Sequence, residues 1–519
     1  MQTLKSYVQG RWHAGTGRPA TLFNPTTEEP IAETSSEGVD FRGVVEHGRT
    51  VGGPALRAMT FEERAARLDR LSKALHAHRD ELIEISIRNA GTTRGDAKFD
   101  IDGAIGTLAA YARFGAELGP RRFLYDGAGV QLGRTARFWG EHVLVPRLGV
   151  ALHVNAFNFP AWNMLEKAAC ALLAGAPVIA KPGTSTAMLA WRITEIIVAS
   201  DVLPEGAWQF VAGSVGDLID HLGPQDGIAF TGSSATAAKL RGHASVVLRN
   251  VRINLEADSL NAAVLAPDVE SGSDAYNLFL SNVALDMTQK TGQKCTAVRR
   301  VLVPHQRVDE VVGELTASLG AIRVGDPADA ATRMGPLASA EQLREVRAGI
   351  ERLAKASKTA CGGAGPLRDK GYFVAPTLMV AGDPRAEVIH AEEVFGPVST
   401  VVPYSGDPDE AAELVARGEG GLVASVYSND AAFLESAALA IGPWAGRVWL
   451  GSDKMAEQSL PPGMVLPQMI HGGPGRAGGG EELGGLRGLA FYMQRVALQG
   501  FKGVIAPESF ATPAASRPS

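Results

Sequence analysis

Short apolar runs alternate with helix-length segments between residues 149 and 256, and this order limits the possible folds. Five runs have the length and composition of buried strands: Gly149–Val154, Pro177–Lys181, Trp208–Val211, Gly227–Phe230 and Val251–Glu256. Strands that alternate with helices indicate a parallel sheet, because parallel neighbours need a crossover connection. The same style resumes after Val298. We therefore expect an α/β protein built on doubly wound parallel sheets.

The segments outside this alternation have other patterns. Residues 5–35 are predicted to form short strands and turns. Residues 61–89 place apolar side chains on one helical face, and another helix is predicted from about residue 98 to residue 118. Residues 134–153 are predicted to be extended and to suit a protruding β-arm. The glycine-rich run Gly472–Gly488 is predicted to be an irregular loop near a site.

The composition excludes several classes of protein. A chain of 519 residues exceeds one ordinary hydrophobic core, so two or three domains are expected. The net charge of −6 argues against a general nucleic-acid-binding protein, which would show a basic excess. No apolar run reaches about 18 residues, and the first residues lack the apolar segment of a secretory signal. Three cysteines without metal-site spacing fit a reducing compartment, so we expect a cytoplasmic protein with no metal and no membrane contact.

Cys295 is the candidate nucleophile. It lies in the polar, glycine-containing run Lys290–Ala297, between a predicted helix and a predicted strand. An electropositive, partly exposed setting favours the reactive thiolate, and Lys294 adjoins the cysteine in sequence. The alternative is a cysteine that merely packs, which is how we interpret Cys170 in its small-residue apolar helix.

Three predicted strand ends carry polar residues, and ligands bind at this edge of doubly wound sheets. The amide of Asn158 can donate to an oxyanion, or it can cap the following helix. Lys181 can hold ribose or phosphate, or remain solvated. Glu256 is flanked by apolar residues, and partial burial would raise its pKa and suit it to general-base work. A solvated carboxylate is the alternative there.

Two turns of small residues are candidate phosphate sites. The run from Phe230 through Gly232 to Ser233 precedes a predicted helix, whose N-terminus can bind the pyrophosphate of a dinucleotide. Gly213 and Gly216 mark a weaker candidate turn. The sequence has no glycine fingerprint of the ordinary Rossmann type at a useful position.

Taken together and in this order, the motifs resemble the aldehyde dehydrogenase superfamily over nearly the whole chain. The matching runs are Phe23-Asn24-Pro25, Asn158-Phe159-Pro160, Lys181-Pro182, Phe230-Thr231-Gly232-Ser233, Gly292-Gln293-Lys294-Cys295 and Glu392-Glu393-Val394-Phe395-Gly396-Pro397. The resemblance implies two Rossmann-like α/β domains and a β oligomerisation arm. The implied parts are a cofactor-binding domain (1–128 and 149–257), a catalytic domain (258–478), a bridging arm (129–148 and 479–506) and a flexible tail (507–519). The arm would join a homodimer or a dimer-based oligomer.

The resemblance also implies a reaction. Cys295 would attack an aldehyde, Asn158 and the Cys295 backbone N–H would hold the oxyanion, and hydride would pass to a nicotinamide cofactor. Glu256 would then activate the water that hydrolyses the thioester. The implied cofactor contacts are Ala156, Phe157, Lys181, Thr184, Gly213, Gly216, Phe230, Gly232, Ser233, Glu393 and Phe395. Of these, Glu393 would bind the nicotinamide ribose and Phe395 would lie beside the ring.

Some residues depart from the usual family pattern. The run after Glu256, usually Leu-Gly-Gly, is Ala257-Asp258-Ser259. Glu166 stands where most relatives have an apolar aromatic residue. Lys167 and Glu482 match positions that the family uses as a proton relay. The alternative role for these charged residues is an ion pair that only stabilises the fold.

The run His471–Glu482 resembles one subgroup, the dehydrogenases of CoA-linked semialdehydes in aerobic benzoate and phenylacetate breakdown. This resemblance implies a CoA-linked substrate, such as 3,4-dehydroadipyl-CoA semialdehyde. A hydratase domain follows the dehydrogenase in the phenylacetate enzyme. Because this sequence ends at Ser519, we expect no hydratase activity.

Thr184 indicates the choice of cofactor. Many NAD-using relatives carry a glutamate at this position, where it holds the ribose 2′-hydroxyl. A carboxylate repels a 2′-phosphate, whereas a hydroxyl can hydrogen-bond it and Lys181 adds positive charge. We therefore expect NADP to be preferred over NAD.

Two rival functions remain open. A CoA-acylating aldehyde dehydrogenase would resolve the thioester with free CoA, but such members generally lack the base, so Glu256 argues against this function. An inactive family member with a structural or binding role is the second rival. The presence of Cys295, Asn158 and Glu256 argues against it.

Overall fold

The computed structural model describes residues 1–507, so the predicted flexible tail lies outside the described residues except for Pro507. Numbered in chain order, the strands are β1 (Gln2–Leu4), β2 (Ser6–Val8), β3 (Arg11–His13), β4 (Ala20–Phe23), β5 (Pro30–Thr34), β6 (Leu124–Tyr125), β7 (Val130–Gln131), β8 (Phe138–Pro146), β9 (Ala151–Val154), β10 (Val178–Lys181), β11 (Trp208–Phe210), β12 (Gly227–Thr231), β13 (Arg252–Glu256), β14 (Ala262–Leu265), β15 (Arg300–Pro304), β16 (Ser357–Cys361), β17 (Thr377–Ala381), β18 (Val398–Tyr404), β19 (Gly421–Tyr427), β20 (Ala445–Gly451), β21 (Ile470–Gly472), β22 (Glu481–Leu483) and β23 (Met493–Phe501).

The α-helices lie mainly in the connections between these strands. In chain order they are α1 (Phe41–His47), α2 (Gly53–Ala58), α3 (Phe61–Ala77), α4 (Arg79–Ala90), α5 (Arg94–Leu118), α6 (Trp162–Ala174), α7 (Ala187–Ala199), α8 (Ser234–Arg241), α9 (Ala244–Arg249), α10 (Asp274–Thr288), α11 (Val308–Gly320), α12 (Ala340–Leu353), α13 (Glu387–Ala391), α14 (Pro408–Ala416), α15 (Ala431–Ile441) and α16 (Lys502–Ile505). Within residues 1–507, none of the helices is both long enough and apolar enough to cross a bilayer.

The first large sheet has seven strands in the order β13-β12-β9-β10-β11-β2-β3. The strands from β9 to β13 are parallel, and β2 and β3 extend the edge in antiparallel fashion. Successive residues of β9 face opposite sides of the sheet: Ala151 packs with α3, α5 and α6, and Leu152 packs with α1 and α8. This arrangement confirms the predicted doubly wound sheet.

The second large sheet has the order β16-β17-β18-β15-β14-β19-β20. Its strands are parallel apart from β16, which pairs antiparallel with β17. The fully buried β14 lies inside this sheet, between β15 and β19, but was not among the predicted strands. Its four apolar residues are too few to show a period.

The N-terminal helices have clear local start and stop signals. The Thr60 hydroxyl and the Glu63 carboxylate form a reciprocal capping box at the start of α3. Residues 61–89 were predicted to be helical throughout, but the chain breaks at His78 into α3 and α4. Gly91 ends α4 with a left-handed φ of +68°, and a side chain there would contact two prolines at 2.7 Å. Glycine therefore fixes where the chain turns.

The strand β8 forms a separate four-stranded sheet. It pairs antiparallel with β23 from Phe138 opposite Phe501 to Pro146 opposite Met493. Strands β6 and β7 pair with β8 as well. Both Phe138 and Phe501 expose about half of their surface, so this sheet presents aromatic side chains to the outside.

The glycine-rich run predicted to be an irregular loop contains an ordered hairpin instead. Strands β21 and β22 pair antiparallel, with His471 opposite Glu482. Gly472 adopts a φ of +142°, and a Cβ atom there would lie 2.0 Å from the Gly480 carbonyl oxygen. The glycines allow the two strands to approach, so part of the irregular-loop prediction was wrong.

Candidate active site

A narrow cavity lies where β12 and β13 end, next to the loop that precedes β15. Its lining includes Asn158, Glu166, Thr231, Glu256, Cys295 and His471. Four of these residues were predicted site residues from distant parts of the sequence. The fold therefore brings the candidate nucleophile, oxyanion donor and base to one place.

The loop that carries Cys295 is held by buried contacts. After α10 the chain passes through Lys290 and Thr291, which adopt left-handed φ values of 52° and 57°. The Thr291 hydroxyl donates to the Gly335 carbonyl oxygen at 3.0 Å. The Asn261 amide donates to the Cys295 carbonyl oxygen at 2.8 Å. These contacts fix the backbone on both sides of the sulfur.

Lys294 does not make the setting of Cys295 electropositive, contrary to the sequence prediction. Its ammonium donates to the Asp286 carboxylate at 2.7 Å and to the Gln289 side-chain oxygen at 2.8 Å. Burial, followed by the charge of Glu256, raises the pKa of the Cys295 thiol well above its ordinary value. The sulfur is therefore a neutral thiol in this structure.

The imidazole of His471 contacts both Cys295 and Glu256 and is a cation when it is protonated. Its Nε2 atom lies 3.8 Å from Cys295 Sγ and 3.2 Å from Glu256 Oε2. Burial is the largest single influence on Glu256 and would raise its pKa, but the charge and hydrogen bond of His471, together with the charge of Lys167, outweigh it and lower the pKa to about 2. The predicted increase in the Glu256 pKa was therefore wrong. No role was assigned to His471 from the sequence, and its place in the His471–Glu482 motif was the only signal.

Asn158 is buried beside the nucleophile loop. Its amide Nδ2 donates to the Gln293 carbonyl oxygen at 3.0 Å. The N-cap of α6 is Ala161, so Asn158 does not cap that helix. The amide has a second N–H, and the side chain lines the same cavity as Cys295. This geometry suits a donor to an oxyanion.

A buried group of charges lies below the cavity. Lys167 Nζ is 3.0 Å from Glu482 and 3.7 Å from Glu166, and it donates to the Thr231 hydroxyl at 2.8 Å. Asn163 donates to Glu166 at 3.0 Å. Burial raises the pKa of Glu166 to about 7. Lys167 and Glu482 therefore form an ion pair, and Glu166 can exchange a proton near neutral pH.

The predicted cofactor residues follow the carboxyl ends of four adjacent parallel strands. Ala156 and Phe157 follow β9, Lys181 ends β10, Gly213 and Gly216 follow β11, and Phe230 lies in β12 just before Gly232 and Ser233. Gly183 packs so closely on Phe157 that a Cβ atom would lie 2.7 Å from the Phe157 Cα. Thr184, half-buried, begins a short 3₁₀ turn after this contact. One edge of the first sheet thus collects predicted cofactor residues from four of its seven strands.

The N-terminus of α8 has an acidic neighbour that could compete for an anion. Ser233 caps the helix by accepting from the Thr236 N–H at 3.3 Å. The backbone N–H of Ser234, the first residue of the helix, donates to the Asp258 carboxylate at 2.9 Å. Asp258 belongs to the run that departs from the usual family pattern. One helix-terminal donor is therefore already bound by a carboxylate of the chain.

Glu393 and Phe395 lie at the other side of this edge. Glu393 accepts from the Ser259 N–H at 3.0 Å, while its other oxygen is buried without a hydrogen-bond partner among the described residues. Burial raises the pKa of Glu393 to about 7. The ring of Phe395 meets that of Phe157 edge to face at 5.9 Å. This second Glu393 oxygen lies 3.7 Å from Arg299 Nε and accepts no hydrogen bond from the described residues. Together with the aromatic pair, it fits a nicotinamide nucleotide with its ribose hydroxyl on the carboxylate.

Comparisons with known proteins agree with this arrangement. A sequence profile of the aldehyde dehydrogenase family matches residues 12–497. The 3,4-dehydroadipyl-CoA semialdehyde dehydrogenase of Aromatoleum evansii is 44% identical over 478 residues, which cover 91% of this chain and 93% of that protein.

Solved structures show the same fold. A putative aldehyde dehydrogenase from Burkholderia cenocepacia matches with a TM-score of 0.84 at 25% identity, over 98% of this chain and 99% of its own. The NAD+ complex of aldehyde dehydrogenase from Bacillus cereus matches with a TM-score of 0.84 at 22% identity, over 96% of this chain and 97% of its own. The predicted fold class is therefore confirmed.

Proposed function

The chain belongs to the aldehyde dehydrogenase family and is an oxidoreductase that acts on aldehydes; we propose that it oxidises a CoA-linked semialdehyde to the acid and prefers NADP. The observation that carries the proposed chemistry is the convergence of Cys295, Asn158 and Glu256 on one cavity. The proposed substrate rests on the similarity to the Aromatoleum evansii enzyme, whose name specifies a CoA semialdehyde.

In the proposed reaction, Cys295 attacks the aldehyde carbon and the carbonyl oxygen becomes an alkoxide. Asn158 and the Cys295 backbone N–H donate to that oxygen, and preorganised donors of this kind stabilise developing charge. When bound, the nicotinamide cofactor accepts hydride from the substrate carbon, which leaves a thioester on Cys295. Glu256 then takes a proton from the water that hydrolyses the thioester.

The proposed cofactor site extends along the edge of the first sheet. The side chains that would hold the nucleotide follow the strand ends, with Lys181 and Thr184 toward the adenosine ribose. Glu393 would hold the nicotinamide ribose, and Phe395 would lie beside the ring. Glu166, Lys167 and Glu482 would transfer protons below the cavity. The positions of Lys167 and Glu482 support this relay, because the pair is buried and in contact at 3.0 Å.

The preference for NADP can be tested by a single substitution. Thr184→Glu should lower the ratio of kcat/KM for NADP to that for NAD by about tenfold or more, because a carboxylate repels the 2′-phosphate. Thr184→Ser is the matched control, since it keeps the hydroxyl. Equal efficiency of the unaltered enzyme with both nucleotides would contradict the proposed preference.

The proposed substrate is tested by steady-state oxidation of a CoA-linked semialdehyde and of the matching free semialdehyde. We expect a higher kcat/KM for the CoA-linked compound, with no requirement for added CoA. Cys295→Ala supplies the background rate. Strict dependence on free CoA would favour the CoA-acylating function, and cofactor binding without turnover of any aldehyde would favour an inactive family member.

We also propose the division into parts that the resemblance implies, with the β8–β23 sheet as the contact between subunits of a homodimer or dimer-based oligomer. Exposed Phe138 and Phe501 at one end of this sheet support the proposal, because exposed aromatic patches mark interfaces. The double variant Phe138→Ser/Phe501→Ser should lower the mass in solution. A cytoplasmic location is part of the proposal and is supported by three free cysteines.

A further inference from the structure

The reaction outlined above assigns Glu256 to the water and does not name the group that accepts the proton of the Cys295 thiol. The half-buried Cys295 lies beside the Glu256 carboxylate, and both its loss of solvent and that charge disfavour a second negative charge there. Lys294, its neighbour in sequence, is paired with Asp286. His471 contacts the sulfur with a side chain that can gain or lose a proton near neutral pH.

His471 stands between the sulfur and the carboxylate. The same atom, Nε2, lies 3.8 Å from Cys295 Sγ and 3.2 Å from Glu256 Oε2. The ring is buried, and its Nδ1 has no hydrogen-bond partner among residues 1–507. The backbone of His471 pairs with that of Glu482 in the hairpin β21–β22, and this strand pairing fixes the position from which the ring projects. The polar contacts of the imidazole are therefore directed at the two groups that the reaction uses.

We propose that His471 is a catalytic acid–base group: its Nε2 takes the thiol proton when Cys295 attacks the aldehyde and returns it to the sulfur when the thioester breaks down. This inference rests on the proposed function. The Glu256 carboxylate stabilises the imidazolium that forms between the two steps. The three side chains thus provide a nucleophile, a base and a carboxylate that stabilises the base in its charged form.

The proton and electron changes balance. In the first step the S–H bond breaks, its electron pair forms the S–C bond, and the proton moves to Nε2. The nicotinamide cofactor is the oxidant that turns the resulting alkoxide adduct into the thioester. Water then forms a C–O bond while Glu256 takes its proton. The C–S bond breaks with its electron pair on sulfur, and Nε2 returns the first proton to that sulfur.

Other charges around the ring set its protonation. The charged or titratable groups near His471 are Glu256, Cys295, Glu166, Lys167, Glu482 and Arg447. Burial is the largest single influence on His471 and would lower its pKa, but the charge and hydrogen bond of Glu256, together with the charge of Glu166, outweigh it and raise the pKa. The imidazolium is therefore stable once formed, and it becomes an acceptor again as the pH rises.

The test measures how fast iodoacetamide alkylates Cys295 in the enzyme without aldehyde, CoA or nucleotide, across about pH 5 to 10. Peptide mass spectrometry separates Cys295 from Cys170 and Cys361. In the unaltered enzyme we expect the rate to rise through two inflections, a lower one from His471 and an upper one from the thiol. His471→Gln should remove the lower inflection and reduce the rate near neutral pH about tenfold or more.

His390→Gln is the matched control, because His390 is equally buried but contacts Arg300 and the Pro384 carbonyl oxygen instead. It should keep both inflections. Unfolding temperature and nucleotide binding establish that His471→Gln is folded, and His471→Asn replaces it if it is not. An unchanged rate and profile in a folded His471 variant would overturn the proposal.

The unaltered enzyme supplies a test that needs no variant. A single inflection at the thiol in its alkylation profile would also overturn the proposal. Because alkylation requires no turnover, its outcome is independent of the identity of the substrate and of the preferred nucleotide. A failure of the proposed function would appear only in the steady-state assays.

Discussion

Glu166→Gln should stabilise the folded protein increasingly as the pH rises. Glu166 is buried in α6, and burial, which outweighs the charge of Lys167, raises its pKa to about 7. In an unfolded chain a glutamate titrates near pH ~4.3. The folded protein therefore binds this proton more tightly than the unfolded chain does. Stability that is present below the unfolded pKa is lost as the pH rises through the folded pKa.

The size of the effect follows from the difference between the two pKa values. About 2.7 units at about 1.4 kcal/mol each give about 3.7 kcal/mol in full, of which about 2–3 kcal/mol falls between about pH 5 and pH 9. Glutamine has nearly the same shape, and its oxygen can still accept from Asn163. The free energy of unfolding of the variant, minus that of the unaltered protein, should thus rise by that amount across this range.

The assay is urea unfolding at a series of pH values, followed by tryptophan fluorescence and circular dichroism at one protein concentration. Glu117→Gln is the control, because Glu117 is an exposed glutamate near the end of α5. The free energy of unfolding of Glu117→Gln, minus that of the unaltered protein, should not rise with pH in this way. A stability difference for Glu166→Gln that stays constant from about pH 5 to pH 9 would refute the reasoning.

Three further substitutions test separate parts of the site. Asn158→Ala should lower kcat about 10²–10³-fold, measured by steady-state kinetics, because it removes an oxyanion donor; a loss below tenfold would contradict that role. Glu256→Gln should allow one rapid round of cofactor reduction per active site and then stall at the thioester, as measured by stopped-flow absorbance; a steady rate without a burst would count against it. Asp286→Ala should lower the free energy of unfolding by about 3–5 kcal/mol, because Lys294 is left buried without its partner. The added change Lys294→Met should recover much of that loss in the same urea titration.

The fold could be predicted from the sequence where a local pattern was long enough. The alternation through β9–β13 predicted the first sheet, since each strand is a short apolar run between helices. The interior strand β14 has only four residues, so its place in the sheet depends on β15 and β19 at its sides. The hairpin β21–β22 was not predicted because it lies in a glycine-rich run. Its glycines allow the two strands to approach each other closely and do not make the segment irregular.

The electrostatics of the site could not be predicted from neighbours in sequence. Lys294 adjoins Cys295, yet its ammonium turns to Asp286 on α10. The charge that controls Glu256 comes from His471, which lies far along the chain on β21. Asn158 and Cys295 were found because each lies in a recognisable motif. A pKa depends on which charges meet in space, and the sequence order does not give those distances.

The site contains two separate pairs of charged groups, and they affect the pH dependence of the activity differently. Lys167 is paired with Glu482 at 3.0 Å, whereas Glu256 pairs with His471 at 3.2 Å when the imidazole is protonated. Because the His471 charge lowers the pKa of Glu256 to about 2, Glu256 cannot account for an activity change near neutral pH. Glu166 has a pKa of about 7 and can account for such a change. An inflection of kcat/KM near neutral pH that disappears in Glu166→Gln but persists in His471→Gln would therefore belong to the Lys167 group of charges.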